Sequence, residues 1–212
     1  MNTFPEIPEE YILRYAGAEN ELLHEIYRFS NAQLLYGQMV SGHLQGRLLS
    51  MLSHMIRPRR ILEIGTFTGY SALCLAEGLG PEGRLDTIEV NDEMAEIAAG
   101  FFRRSPLEPQ IRLHVGDALE LIPKFEDTYD LVFIDGAKNQ YASYYDVVYP
   151  VTKTPGYILA DNVLWYGKAS GSETGTDPAT TAIRNFNDKI ASDKRVQQII
   201  LPIRDGLMVV RK

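Results

Sequence analysis

Two short acidic tips stand out in the chain: Asp135-x-x-Lys138 and Asp161-Asn162, each directly after an apolar run that reads as a buried strand. Two carboxylates and an amide oxygen, with waters or substrate oxygens completing the shell, suit Mg²⁺ or a similar hard cation such as Mn²⁺ or Ca²⁺. No Cys/His cluster of the zinc type occurs in the sequence. Asp-Gly and Asp-Asn are common turn formers, so either tip alone carries little. Together, at the ends of two buried strands, Asp135, Asp161 and Asn162 make a candidate metal site.

A second group of residues reads as a cradle for a nucleotide-type cofactor. Ile61-Leu-Glu-Ile-Gly-Thr-Phe-Thr-Gly-Tyr-Ser71 looks like a strand entering a glycine turn that opens a helix, with Gly65, Thr66, Gly69 and Ser71 on the turn. Its Gly65-x-x-x-Gly69 spacing is not the G-x-G-x-x-G of dinucleotide folds. Glycines let the backbone turn sharply and approach a ligand closely, and the wider spacing suits a ligand without a pyrophosphate. Glu89 follows at the tip of the next strand, about twenty residues on, where a carboxylate can accept hydrogen bonds from both ribose hydroxyls. Asp117 and Ala118 end the strand after that and are placed to edge an adenine. Glu63, close to the turn, is expected to face the positive end of S-adenosylmethionine or reach its amino group through water. Three such elements in order on consecutive strand ends favour S-adenosylmethionine over NAD.

A methyl donor beside a hard cation points to metal-assisted methyl transfer. A phenol with a pKa of about 10 is mostly protonated at neutral pH and a poor nucleophile. Binding one or two vicinal oxygens to a dication stabilises the phenolate and orients it. Lys138 could remove the proton or stabilise the oxyanion; as a base its pKa must fall. The protein then mainly aligns oxygen, methyl carbon and sulfur, with reacting atoms at about 3 Å. Trp165, four residues past Asp161, is a candidate wall for a flat aromatic acceptor or, equally, a core residue.

The elements that must hold these residues follow from periodicity. Strands are expected near 60–64, 84–90, 111–115, 130–135, 156–161, 196–202 and 207–211, alternating with helices near 70–79, 91–103, 117–123, 140–149 and 179–191. Such alternation implies an α/β fold with a mainly parallel sheet covered on both faces. The last two strands are separated by too few residues for a parallel crossover, so they form an antiparallel hairpin turning at Arg204-Asp205-Gly206. Helices at 19–36 and 43–56 precede the sheet, the second with an apolar face of Leu44, Leu48, Met51, Leu52 and Met55. The expected organisation is a single domain over 1–212, with an N-terminal helical segment (1–56) and a Rossmann-like core (57–212). Gly167–Pro178, rich in Gly, Ser and Thr, reads as a mobile lid.

Composition narrows the partners. The chain has 212 residues, 45% hydrophobic and 23% charged, as an ordinary globule does. Its apolar runs fall short of the ~20 residues a membrane span needs, and its first residues lack the pattern of a signal peptide. One cysteine, Cys74, excludes an intramolecular disulfide framework and reads as a buried thiol in a cytoplasmic protein. The net charge of −7 weighs against a polyanionic partner. The basic patch Arg57-Pro-Arg59-Arg60 falls at the edge of the sheet opposite to where α/β sites form.

At these residues the chain resembles the cation-dependent O-methyltransferases: caffeoyl-coenzyme A O-methyltransferase, its small bacterial relatives and, more distantly, catechol O-methyltransferase. The likeness is carried by Ile61–Ser71, by Phe133-Ile-Asp-Gly-Ala-Lys-Asn-Gln-Tyr141, by Leu159-Ala-Asp-Asn-Val-Leu-Trp165 and by Leu201-Pro-Ile-Arg-Asp-Gly-Leu207, and it extends from about residue 36 onward. The resemblance implies a class I methyltransferase fold with a seven-stranded sheet, usually as a homodimer. It implies metal ligation by Asp135, Asp161 and Asn162, with Lys138 as the base, and it places Met39 to Ser41 over the cofactor. Gly136 and Ala137 depart from relatives that often carry an acidic or bulkier residue there, which leaves that wall more open. The N-terminal segment and the 167–178 loop match too loosely to carry acceptor specificity across.

The expected activity is therefore O-methylation of a vicinal diphenol or similar small hydroxylated aromatic. Two other readings stay open: O-methylation of a hydroxylated nucleoside in transfer RNA, and a protein that binds S-adenosylmethionine without catalysis. The acidic charge weighs against the first. The second leaves Asp135, Lys138, Asp161 and Asn162 without a use.

Overall fold

Alternating side chains on the central strands explain how one sheet buries both of its faces. In the computed structural model, which describes residues 9–171 and 177–212, the strands are β1 (Arg60–Ile64), β2 (Arg84–Glu89), β3 (Ile111–Val115), β4 (Tyr129–Ile134), β5 (Thr152–Ala160), β6 (Gln197–Leu201) and β7 (Leu207–Arg211). They form one seven-stranded sheet in the order β3-β2-β1-β4-β5-β7-β6. The first five are parallel, and β7 runs antiparallel to both β5 and β6. Ile61, Leu131, Phe133 and Leu159 point to one face, and Leu62, Ile64, Val132, Ile134 and Ile158 to the other. This is the period-two alternation of a strand covered on both sides.

Eight α-helices are present among the described residues: α1 (Glu9–Leu13), α2 (Glu21–Gln33), α3 (Gly42–Ile56), α4 (Tyr70–Ala76), α5 (Asp92–Phe102), α6 (Ala118–Leu121), α7 (Tyr141–Val151) and α8 (Pro178–Ser192). Side chains of Asn20, Asn91 and Asp177 accept backbone N–H groups and set the starts of α2, α5 and α8. One face of the sheet buries Tyr141, Tyr145 and Val148 of α7 with Ile183, Phe186 and Ile190 of α8. The other buries Leu23 and Ile26 of α2, Leu73 and Leu75 of α4, and Phe101 and Phe102 of α5. Cys74 lies fully buried in that layer, where burial pushes its thiol up. No described helix is long and apolar enough to cross a membrane.

Several expectations are corrected. The helix read over 19–36 stops at Gln33 and gives way to a single 3₁₀ turn at Gly37–Met39, and α1 was not foreseen. β5 begins at Thr152 rather than 156, because Thr152 pairs with Tyr129 before an irregularity that resumes at Leu131 and Tyr157. The larger correction concerns α3. Its buried face is Gln45, Gly46, Leu49, Ser50 and Ser53, whereas Met51 and Met55 are exposed and Leu44, Leu48 and Leu52 only partly covered. Small residues win that interface because α4 comes very close: a Cβ on Gly46 would collide with Tyr70 and Cys74, and Ser53 Oγ donates to Leu75 O at 2.6 Å. The lid reading falls mostly on residues 172–176, outside the described residues, as does the leader reading on residues 1–8. The near flank of that loop is held by Arg184, which donates to the carbonyls of Lys168, Ala169 and Gly171.

Candidate active site

The C-terminal ends of β1 to β5 open into one cavity of about 810 Å³, within the size range of small-molecule sites. Its lining brings together Met39, Ser41, Gly65, Thr66, Ser71, Glu89, Asp117, Ala118, Asp135, Lys138, Asp161, Asn162 and Trp165. Of the residues singled out from sequence, Glu63 and Gly69 do not line it.

The cradle is built by the β1–α4 turn. Gly65 sits at φ 96°, and a Cβ there would collide with the Asp135 carbonyl oxygen, so the turn and the acidic tip can approach only because the residue is glycine. Gly69, at φ 84°, caps α4 and faces the Phe102 ring, so it shapes the turn from behind. Glu89 Oε2 accepts Phe67 N–H at 2.8 Å and Oε1 accepts Asn91 N–H at 3.0 Å. Each carboxylate oxygen keeps a further lone pair for a diol. Asp117 spends one oxygen on Leu119 N–H at 2.8 Å, capping α6.

Glu63 lies beneath this turn. It is fully buried, with Oε1 accepting Ser71 Oγ–H at 2.6 Å and Oε2 accepting Thr87 Oγ–H at 2.5 Å; Thr87 in turn meets Thr66. Glu63 thus supports the cradle from below: it holds Ser71 directly and Thr66 through Thr87, and both line the cavity. Burial pushes the Glu63 carboxyl up to about 8, against the pull of its two hydroxyl partners. A carboxyl whose folded value lies above its unfolded one contributes stability that is whole below the unfolded value and lost as pH rises through the folded one. The melting temperature should accordingly fall between about pH 4.5 and about pH 8, and Glu63→Gln should flatten that slope. Parallel melting curves for the two proteins across that range would remove Glu63 as the cause.

The acidic pair follows from strand register. Ile134 and Ala160 are partners on β4 and β5, so Asp135 and Asp161 are neighbours one residue on. Asp161 is 4% exposed, and its carboxylate accepts no hydrogen bond among the described residues. Asn162 follows in a left-handed conformation, φ 56°, that asparagine tolerates better than most residues. Burial raises the Asp135 carboxyl to about 6; Lys138 pulls it down, while the Asp161 charge pushes it up. Lys138 Nζ donates to Asp135 Oδ1 at 2.7 Å and to Tyr141 Oη at 2.6 Å, and Tyr141 aims its own proton at Asp161 O, 3.0 Å away. Burial alone would lower the Lys138 pKa, but its anionic neighbour and the phenol hold it above the ordinary lysine value. That direction is opposite to the fall expected of a base. Among the described residues no group of three His, Cys, Asp or Glu side chains forms a metal cluster. Any cation here would thus be held by two carboxylates and the Asn162 amide, with other oxygens completing its shell.

The O-methyltransferase family model matches residues 14–212. The chain belongs to the O-methyltransferase family. This O-methyltransferase is 30% identical over 207 residues to a probable caffeoyl-CoA O-methyltransferase of Dictyostelium discoideum, covering 95% of this chain and 90% of that one. It is 26% identical to the caffeoyl-CoA O-methyltransferase of Stellaria longipes, covering 92% of this chain and 84% of the relative. Among solved structures, the O-methyltransferase TomG of Streptomyces achromogenes, in complex with SAM, superposes with a TM-score of 0.86 at 27% identity over 95% and 94% of the two chains. An O-methyltransferase from Bacillus cereus in complex with SAH gives 0.85 at 27% identity, with 96% of each chain covered.

The O-methyltransferase cavity also has walls that sequence reasoning missed. Tyr144, Gln140, Asn91, Met94, Tyr166 and Arg204 all line it. Asn91 was recoverable as the cap that follows Glu89. Arg204 belongs to the Leu201–Leu207 segment, where its spacing marks only a turn. Trp165 does both things considered for it: it lines the cavity and packs against the core on the α7–α8 face.

Proposed function

We propose that the enzyme moves a methyl group from S-adenosylmethionine to one oxygen of a vicinal diphenol or similar small hydroxylated aromatic, with a divalent cation, Mg²⁺ first, at Asp135, Asp161 and Asn162. The observation that carries this is a juxtaposition. The glycine turn with Glu89 and Asp117 lies over the ends of β1 to β3, the acidic pair over the ends of β4 and β5, and one cavity joins them. A nearly buried Asp161, its carboxylate without a donor among the described residues and beside a second carboxylate, offers the oxygens a hard cation satisfies. Such a cation, when bound, supplies charge stabilisation to a phenolate and orients its oxygens.

The chain's own residues do the rest. Glu89 would hold the ribose hydroxyls with its remaining lone pairs, and Asp117 would edge the adenine. Met39 and Ser41 close the donor side. Lys138 sets its nitrogen beside Asp135, where the neutral amine would take up the acceptor's proton or the ammonium would hold the negative oxygen. Trp165 would flank the ring. The outward stripe of α3, with Met51 and Met55 exposed, is the surface this reading gives to a second copy of the chain.

Transfer of labelled methyl from S-adenosylmethionine to a small catechol panel tests the reading. Turnover should vanish in EDTA and return with Mg²⁺. Full activity in EDTA would remove the cation from the mechanism. Transfer confined to a transfer RNA with a hydroxylated nucleoside would replace the aromatic acceptor class.

A further inference from the structure

Arg204 is the cation of the cavity that the methyl transfer does not use. Lys138, the other described cationic residue in the lining, is ion-paired to Asp135 at 2.7 Å. Among the described residues no carboxylate lies within ion-pair distance of Arg204, although its charge acts on Asp135 and Asp205 from farther off. Its Nη1 reaches only neutral oxygens, Gln45 Oε1 at 3.3 Å and Val40 O at 3.5 Å, both at the long end for a hydrogen bond. Gln45 is nearly buried and its Nε2 has no partner, so its amide serves Arg204 from behind. The backbone at Arg204 is left-handed, φ 49°, a conformation that a non-glycine residue holds at some cost in stability. The side chain itself is exposed at the cavity rim.

Sheet order says which ligand Arg204 faces. From β2 across β1, β4, β5 and β7, the C-terminal edge carries the glycine turn, then the acidic pair, then the β6–β7 turn. That turn is fastened to the same edge by Val163 N–H to Gly206 O at 3.1 Å and Leu164 N–H to Asp205 O at 2.9 Å. The turn that carries Arg204 therefore stands beyond the acidic pair as seen from the donor cradle, and from it the guanidinium reaches back to the Val40 carbonyl, between Met39 and Ser41.

We infer that Arg204 receives an anionic substituent, a carboxylate, on the acceptor ring, so that the preferred acceptors are catechol carboxylic acids rather than neutral diphenols. This rests on the proposed methyl transfer and narrows its acceptor class. The donor carries a carboxylate too, and the experiment separates the two sources. Trp165, the chain's single tryptophan, lines the cavity, so its fluorescence reports binding without turnover.

Protocatechuate, its neutral methyl ester and S-adenosylmethionine are titrated and, for the two acceptors, assayed for methyl transfer. The proteins compared are the natural chain, Arg204→Gly and Arg204→Lys. Glycine suits the left-handed backbone, so the first variant removes the charge without adding strain. The acid-over-ester preference, in both affinity and kcat/KM, should be about tenfold or more and should fall toward one in Arg204→Gly, as expected for loss of a charge-assisted hydrogen bond. Arg204→Lys should restore part of it. An unchanged preference in Arg204→Gly overturns the inference. So does weakened S-adenosylmethionine binding with the preference intact, which assigns the carboxylate to the donor. If neither acceptor is methylated but the acid still binds through Arg204, the proposed methyl transfer falls and the anion site stands.

Discussion

Asp161→Asn should lose catalysis on the order of a hundred- to a thousandfold, the several kcal/mol expected of charge stabilisation by a bound dication, without losing stability. The substitution keeps the side chain's shape and removes one of two adjacent carboxylates at the strand ends. The residue is 4% exposed, and its carboxylate meets no hydrogen-bond donor among the described residues. A buried charge without a partner opposes folding, and here it also repels Asp135. The melting temperature should therefore equal or exceed that of the natural chain, and S-adenosylmethionine affinity should stay within about threefold, since the cradle is untouched. Turnover above a tenth of the natural rate would end the role of Asp161 in holding a cation. A lower melting temperature with lost donor binding would make it a structural residue.

Lys138→Met should lower kcat by about two to four orders of magnitude, the range for loss of a positioned proton-transfer group, and leave donor affinity nearly unchanged. Methionine keeps the aliphatic stem while deleting the nitrogen that sits 2.7 Å from Asp135 and 2.6 Å from Tyr141. Lys138→Arg then separates the two roles open to the residue. Arginine keeps a cation near the oxygen but cannot accept a proton at working pH. Activity well above that of the methionine variant assigns Lys138 to the oxyanion; equal loss in both assigns it to proton removal. A kcat within about threefold of the natural value in Lys138→Met would take the residue out of the reaction.

Much of the frame was legible because its signals are local. The apolar run Leu131–Ile134, the turn signals at Gly65 and Gly69, and the short spacing before Leu207 each limit a few residues to one conformation, and together they imply the parallel sheet and its closing hairpin. Asp135 and Asp161 could be paired on paper only by supposing that their strands are neighbours; register makes them so. The exposed apolar stripe of α3 shows the limit of periodicity. A helical period locates a stripe but not which face meets the core, and close approach to α4 selected the small residues.

What the sequence determined by itself is the set of chemical groups and their order along the chain: a glycine turn, acidic strand tips, a lysine three residues past one of them. What only the tertiary structure decided is which groups share a cavity and with what charge. Glu63 fell beneath the turn because β1 alternates and its side chain points inward to Ser71 and Thr87. Arg204 arrived at the rim because β7 pairs with β5, bringing a turn more than forty residues past Asp161 to the same sheet edge. Long-range pairing of this kind is fixed by the packing of whole faces, and no local stretch of residues encodes it.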